Sequence, residues 1–167
     1  MEKVQIKLVD GRKMNIELYR EYAPISVDNF LSLVDEKFFD GLCFHRVIAD
    51  FMIQGGGFEW KDTLVHKNAK NTIKGEFMAN GVMNKLHHEP GVISMARTGY
   101  PNSASSQFFI CVEDLPYLDG QYAAFGKTCD EESLAVAIEI SKTATGFCDG
   151  YGDVPLVPVV IETIQRI

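Results

Sequence analysis

Hydrophobic and polar side chains alternate over two short segments at the start of the chain. Apolar residues occupy every second position over residues 4–8 and again over residues 14–18. The dipeptide Asp10-Gly11 lies between them and is typical of a tight turn. A period of two places every second side chain on one face of a strand. The pattern therefore predicts a β-hairpin with one buried face.

Two other segments have the spacing of amphipathic helices. The first begins at Pro24, and its apolar residues recur three or four positions apart as far as Val34. The second begins near Asp130, a residue type that caps helix N-termini, and continues with Glu131 and Glu132 in its first turn. We expect one helix after the hairpin and one in the last third of the chain.

Short strand-like runs fill most of the remaining sequence. They lie around residues 43–48, 51–55, 91–96, 107–112 and 123–126, with Gly, Pro and Asn clusters between them. The irregular segment 60–90 is rich in Lys, Asn and His and predicts surface loops. Many short strands with two helices predict a mainly β, antiparallel fold whose closure would remove exposed edges. With no repeat and no linker, residues 1–167 are predicted to form one domain.

Composition narrows the possible functions. The formal net charge of −7 and the isoelectric point near 5.1 argue against binding to nucleic acids or anionic membranes. No segment has the pattern of a signal peptide or of a membrane span, which predicts a cytoplasmic protein. The four cysteines form no C-x-x-C pair and are expected to be reduced, although an even count would permit two disulfides in a secreted protein. The histidines lack ligand spacing, so no metal site is predicted.

Arg46 is the residue that most needs an explanation. Aromatic and β-branched residues surround it, and a charged group rarely stands in such a strand unless it is paired or used. Two further apolar runs each carry one neutral polar residue, Gln54 and Gln107. Because side chains alternate between faces, Met52 shares a face with Gln54, and Phe109 with Gln107. The pattern predicts a mostly apolar pocket with a few convergent polar groups.

Five motifs give the chain a close resemblance to the cyclophilin-type peptidyl-prolyl cis-trans isomerases. In the order found in that family, they read FHRVI at 44–48, FMIQGG at 51–56, GVISMA at 91–96, SQFFI at 106–110, and LDG with FGK at 118–120 and 125–127. The match runs from the first predicted strand to the last. Segment 72–77 resembles a loop variant common in bacterial, single-domain members.

The resemblance implies a fold, an activity and a site. The fold would be a closed eight-stranded antiparallel β-barrel with a helix over each open end. The activity would be acceleration of rotation about X-Pro bonds in peptides and folding proteins, by a monomer, without covalent chemistry, cofactor or metal. The implied catalytic residues are Arg46, Phe51 and Gln54. The implied substrate-binding residues are Met52, Ala96, Arg97, Thr98, Gln107, Phe109, Tyr117, Leu118 and Tyr122.

The chain departs from the best-known members at several of these positions. Arg97 and Thr98 stand where those members have Asn and Ala, Tyr117 where many have Trp, and Tyr122 where they have His. A phenol keeps an aromatic wall but places its donor elsewhere. We therefore expect the proline-binding pocket to be retained and the inhibitor ciclosporin to bind with reduced affinity.

Two functional alternatives stay open at this point. The chain is either an active isomerase or a proline-peptide binding module that has kept the groove but little turnover. The presence of Arg46, Phe51, Gln54 and Phe109 favours the isomerase. Gln54 and Gln107 could instead satisfy buried backbone groups. His45, on the opposite strand face from Arg46, is predicted to be structural, and no Ser-His-Asp triad is apparent.

Overall fold

The computed structural model describes residues 2–167 of the chain. Two α-helices span Pro24–Asp35 (α1) and Glu131–Ser141 (α2). The strands are β1 Glu2–Leu8, β2 Lys13–Leu18, β3 Arg46–Ile48, β4 Met52–Gly55, β5 Phe58–Trp60, β6 Leu64–His66, β7 Val92–Met95, β8 Phe108–Cys111, β9 Ala124–Thr128, β10 Thr145–Cys148, β11 Tyr151–Pro155 and β12 Ile161–Arg166. Single 3₁₀ turns occupy Met78–Asn80 and Pro116–Leu118.

Eight of these strands form one antiparallel sheet in the order β12-β1-β2-β9-β7-β8-β4-β3. The predicted eight-stranded, mainly β fold with two helices is confirmed. One detail differs, because β3 and β12 at the two ends of the ladder do not pair along their length. The segment before β3 bridges this seam instead, where Phe44 N–H donates to Val159 O at 2.9 Å and Ile161 N–H donates to Leu42 O at 2.7 Å. The sheet is thus curled into a barrel that is closed at one end of the seam.

The predicted hairpin and both predicted helices are present. In the hairpin, Val4 lies opposite Ile16, and both side chains are fully buried. Helix α2 begins as expected, with the Asp130 carboxylate accepting a hydrogen bond from Ser133 N–H at 2.7 Å. Helix α1 begins at Pro24, whose fixed φ suits a first helical turn.

The prediction of surface loops over residues 60–90 is wrong in part. The segment contains β6 of the small β5–β6 hairpin and several buried side chains, including Glu76 and Phe77, each 2% exposed. The Glu76 carboxylate accepts hydrogen bonds from the backbone N–H groups of Ile25 and Ser26 at 3.1 and 2.6 Å. It therefore caps the N-terminus of α1 from about fifty residues away in the sequence. The β10–β11 hairpin was also not predicted.

The sheet buries apolar side chains on both faces along β4, β7 and β8. Alternate residues belong to two different clusters. The main core inside the barrel includes Ile53, Ile93, Phe108 and Ile110. The cluster on the outer face includes Met52, Val92, Phe109 and Cys111, together with Leu115, Leu118 and Ala124. Burial on both faces explains why these strands read as continuous apolar runs in the sequence.

All four cysteines are free. Burial raises the pKa of the Cys43 and Cys111 thiols to about 12, so both stay protonated near neutral pH.

Among residues 2–167, no group of three or more His, Cys, Asp or Glu side chains could hold a metal ion. Within the same residues, no helix is long and apolar enough to cross a membrane.

His45 predicts a pH dependence of stability. Its ring packs against Phe58 with centroids 4.5 Å apart, and its Nδ1 atom has no hydrogen-bond partner. Burial, with a smaller effect of the neighbouring Arg46 charge, lowers the pKa of His45 from 6.5 to about 4. The unfolded chain therefore takes up this proton near pH 6.5, whereas the folded protein does so only near pH 4. We expect His45 to lower the free energy of unfolding by about 3 kcal/mol as the pH falls through this window.

The His45→Phe variant tests this expectation. It should keep the packing against Phe58 and flatten the loss of stability between pH 6.5 and 4, as measured by urea unfolding at a series of pH values. Replacement of the exposed Asn71 by Gln changes no titratable group; it is the control and should leave the profile of the wild type unchanged. The same slope for His45→Phe and wild type would contradict the assignment.

Candidate active site

A row of directly opposed residues crosses four strands of the sheet. Arg46 on β3 lies opposite Gln54 on β4, Gln54 lies opposite Phe109 on β8, and Phe109 lies opposite Ser94 on β7. Directly opposed residues in a sheet project from the same face and lie within side-chain contact distance. The strand register thus brings Arg46, its polar neighbour Gln54 and the aromatic side chain of Phe109 to the outer face.

Hydrogen bonds connect the polar members of this row. Arg46 Nη1 donates to Gln54 Oε1 at 3.3 Å, and Gln54 Nε2 donates to Gln107 Oε1 at 3.0 Å. Gln54 therefore bonds directly to Arg46. Gln54 and Gln107 bond to each other and not to buried backbone groups. The guanidinium of Arg46 is exposed and keeps most of its five N–H donors free for another molecule.

Beside this row lies a cavity of about 170 Å³, which we call the slot. Its lining consists of Arg46, Phe51, Met52, Gln54, Ala96, Arg97, Phe109, Leu118 and Tyr122. All nine belong to the predicted site. The slot is smaller than the roughly 300–1,000 Å³ of typical small-molecule sites. It has room for one small ring and leaves the rest of a peptide on the surface.

A second cavity of about 510 Å³ adjoins the slot, and we call it the side cavity. The two share Gln54, Ala96 and Arg97. Thr98 and Gln107, predicted as binding residues, line the side cavity and not the slot. An extended peptide with a ring in the slot can therefore place a neighbouring residue in the side cavity.

Tyr117 is the one predicted site residue that lines neither cavity. It belongs to the 3₁₀ turn before the slot residue Leu118, and it is 64% exposed. The structure thus places Tyr117 at the rim of the slot, and its contact with a bound peptide stays a prediction. The short turn points the small apolar Leu118 inward and leaves the larger, amphipathic phenol outside.

Arg97 lines both the slot and the side cavity, and contacts on several sides hold its guanidinium in place. Its guanidinium lies 4.7 Å from the ring centroids of both Phe77 and Tyr122. Its Nε and Nη2 atoms donate to Gln121 O at 3.1 and 2.7 Å, and Nη1 donates to Thr98 O at 3.0 Å. Stacking between two rings with carbonyl bonds at the edge fixes the orientation of the charge.

Beneath the slot lies a buried hydrogen-bond network. The His88 ring bonds Asp119 Oδ1 through Nδ1 at 2.8 Å and Ser94 Oγ through Nε2 at 2.9 Å. The backbone N–H of His88 also donates to Asp119 Oδ1 at 2.7 Å. The His88 ring is nearly parallel to Phe109, at 15° and 6.0 Å between centroids, and Phe109 meets Tyr122 edge to face. The network thus supports the aromatic floor of the slot.

Electrostatics fix the charge states of this network. Burial lowers the pKa of His88 below its ordinary value of 6.5, although Asp119 acts in the other direction. Burial alone would raise the pKa of the Asp119 carboxyl, but hydrogen bonds from His87 and His88 hold it below its usual range. At neutral pH a neutral His88 therefore donates from Nδ1 to the carboxylate and accepts from the Ser94 hydroxyl.

Asp119, His88 and Ser94 have the connectivity of a Ser-His-Asp triad, which the sequence did not reveal. Ser94 is fully buried and lies opposite Phe109 in the sheet, so no peptide carbonyl can reach its hydroxyl. The arrangement is therefore structural and is no hydrolase centre. His88 and Asp119 are 31 positions apart in loop segments, Ser94 lies in β7 between them, and no sequence pattern links the three.

Comparisons with known proteins agree with this geometry. The family described as cyclophilin type peptidyl-prolyl cis-trans isomerase/CLD matches residues 3–166. The peptidyl-prolyl cis-trans isomerase cyp18 of Streptomyces antibioticus is 39% identical over 99% of this chain and 98% of its own length. Peptidyl-prolyl cis-trans isomerase B of Escherichia coli is 40% identical over 89% of this chain and 90% of its own length.

A solved structure shows the same architecture. The crystal structure of a Cryptosporidium parvum cyclophilin type peptidyl-prolyl cis-trans isomerase, determined in the presence of the dipeptide Ala-Pro, superposes with a TM-score of 0.77. The two are 26% identical, and the match covers 99% of this chain and 98% of that one. Family, sequence relatives and fold agree along the whole length, and the chain belongs to the cyclophilin-type peptidyl-prolyl cis-trans isomerases.

Proposed function

We propose that this isomerase holds the proline ring of a peptide in the slot and that Arg46 donates hydrogen bonds to the amide as it twists. The observation that carries this proposal is the row in which Arg46 stands beside Gln54 at the edge of an apolar recess. The substrates are proline-containing peptides and folding proteins. No cofactor or metal takes part in the proposed mechanism. A monomeric, cytoplasmic protein is our working hypothesis.

The reaction sets modest chemical demands. Its barrier of about 18–20 kcal/mol arises from the loss of amide resonance as the C–N bond rotates, so no nucleophile is required. A catalyst must bind the twisted amide more tightly than either planar form. Bringing an event of tens of seconds to milliseconds needs a factor of about ten thousand, or about 5–6 kcal/mol.

Arg46 suits the donor role because its guanidinium stays protonated and can only donate. As resonance is lost, the imide nitrogen becomes pyramidal and able to accept a hydrogen bond, and the prolyl carbonyl offers a second acceptor. Gln54 accepts from Arg46 Nη1 and is itself bonded to Gln107, so the guanidinium is oriented before substrate arrives. Preorganised donors of this kind are among the larger contributions to catalysis.

The apolar walls of the slot supply the second contribution. Phe51, Met52, Phe109 and Leu118 can surround the proline ring and keep water away from the amide. Exclusion of water strengthens the hydrogen bonds from Arg46 to the reacting group. The twisted amide has less charge separation than the planar form and is therefore favoured in an apolar recess.

We expect Arg46→Ala to lower kcat/KM at least about a hundredfold, which corresponds to about 2.7 kcal/mol of transition-state stabilisation. Turnover would be measured by exchange NMR on a short proline peptide, with circular dichroism on the same sample. Arg20→Ala, at an exposed arginine outside the cleft, is the matched control and should retain the activity of the wild type. If Arg46→Ala stays within a few-fold of wild type, Arg46 is not the donor. If the wild type binds the peptide without accelerating exchange, the chain is a binding module.

We also expect His88 to act as a positioning residue through Phe109. His88→Leu removes the stacked ring and both ring hydrogen bonds, whereas His88→Phe keeps a ring and removes the bonds. His88→Leu should lower kcat about fivefold and change KM less than about twofold. The reason is that a displaced Phe109 ring weakens binding of the twisted amide more than binding of the planar substrate. His88→Phe should recover part of kcat. If folded His88→Leu unfolds at lower urea concentration but keeps the kcat of the wild type, the network is purely structural.

Ciclosporin binding tests the position of Tyr117. At the rim of the slot, a phenol cannot place a donor where an indole N–H would lie, which removes one hydrogen bond and some apolar contact. The inhibitor should bind about ten- to a hundredfold more weakly than to a relative with Trp, and Tyr117→Trp should restore part of the affinity while turnover changes little. Calorimetric titration of both proteins would measure this. Equal affinities would mean that Tyr117 makes no contact with the inhibitor.

A further inference from the structure

The five arginines of the chain fall into two groups. Arg12, Arg20 and Arg166 each form ion pairs, for example Arg12 with Glu139 at 2.7 Å and Arg166 with Asp35 at 2.7 Å. Arg46 and Arg97 lie at the slot, and no carboxylate of residues 2–167 is within ion-pair distance of either. The division follows location, because the paired arginines all lie outside the cleft.

The absence of partners is notable in so acidic a chain. With 23 acidic and 16 basic residues, an arginine on the surface has many carboxylates available. The Arg97 guanidinium bonds only backbone carbonyl groups and the faces of two rings. Its Nη1 and Nη2 atoms each keep one N–H donor free. The charge is therefore held in place without being neutralised.

The side chains that line the cavities beside these two arginines carry no negative charge, and the Asp119 carboxylate lies beneath the slot, bonded to His87 and His88. None of the residues that line the slot or the side cavity is acidic. Lys70 adds a third cation at the side cavity, and it too forms no ion pair among the described residues. A recess lined by one sign of charge concentrates the electric field and attracts the opposite charge. The cleft is thus locally positive on a protein with a net charge of −7.

We propose that this cleft selects substrates that carry an aspartate or glutamate close to the proline. The inference rests on the proposed function, because it assumes that the proline ring occupies the slot. The side cavity shares Gln54, Ala96 and Arg97 with the slot. An extended peptide advances about 3.3 Å per residue, so the side chains within about three positions of proline can reach Arg97 or Lys70. The carboxylate would accept the free N–H donors of Arg97 and approach the Lys70 ammonium group.

The exposure of the cleft to solvent limits how strongly it can prefer an acidic peptide over a neutral one. Ion pairs at a hydrated surface are weak, and two cations acting on one carboxylate should favour an acidic peptide over its neutral isostere about threefold to tenfold in kcat/KM. The preference should weaken with added salt, because exposed charges are screened over about 8–10 Å at 0.10–0.15 M ionic strength.

The experiment uses a set of short peptides with a single proline. Glu, Gln or Lys is placed at each of the three positions before and the three positions after it. Exchange NMR measures isomerisation directly, which avoids the sequence preference of a coupling protease. We expect Glu to exceed Gln by at least about threefold, and Lys to fall below Gln, at one or two neighbouring positions on one side of proline. At 0.5 M salt the ratio of Glu to Gln should approach one.

Charge-reversal variants identify the source of the preference. Lys70→Glu should lower the ratio of kcat/KM for the Glu peptide to that for the Gln peptide, and it should raise the ratio for the Lys peptide to that for the Gln peptide. Lys13→Glu makes the same change of net charge on β2, outside both cavities, and should leave the ratios unaltered. Arg97→Gln should reduce the preference more than Lys70→Gln, because Arg97 is held in place.

The outcomes separate this inference from the function on which it rests. Equal kcat/KM for Glu, Gln and Lys peptides at every position, with normal turnover, would overturn the charge selection and leave the isomerase mechanism intact. Equal effects of Lys13→Glu and Lys70→Glu would also overturn it, since net charge and not the cleft would then be responsible. No turnover of any peptide would contradict the proposed function itself.

Discussion

The sheet must bury side chains on both of its faces, and the rest of the structure depends on this constraint. One face of β4, β7 and β8 fills the barrel, and the other carries the second apolar cluster that includes Met52 and Phe109. A strand with two buried faces tolerates no slip in register, because a one-residue shift would exchange the two clusters. The same register places Arg46 opposite Gln54. Core packing and site geometry are therefore fixed by one set of strand pairings.

The sequence predicted those parts of the fold whose signals are local. Alternation over residues 4–18 and a capping residue at Asp130 each depend on interactions within a few residues, and both are present. All nine residues that line the slot were named from strand alternation and from the resemblance to the family. Tyr117 lies at the rim and not in the lining, because the direction of a side chain in a 3₁₀ turn is not fixed by a motif.

The features that were missed depend on partners distant in the sequence. Glu76 looked like one more charged loop residue, yet its carboxylate caps a helix that begins about fifty residues earlier. His88 lacked any ligand spacing, yet it lies between Asp119 and Ser94 beneath the slot. A pattern of single residues cannot show which buried polar groups will meet, because that depends on the tertiary fold. Whether Arg97 forms an ion pair likewise depends on the tertiary fold and could not be predicted from the sequence.

The two neighbouring residues Glu76 and Phe77 have a consequence for the dynamics of the cleft. Glu76 holds the first turn of α1, and the Phe77 ring lies against the Arg97 guanidinium. Local opening of this segment would break both contacts together, so the helix start and the cleft wall belong to one cooperative unit. Destabilising the end of a helix would thereby loosen a charge in the substrate cleft.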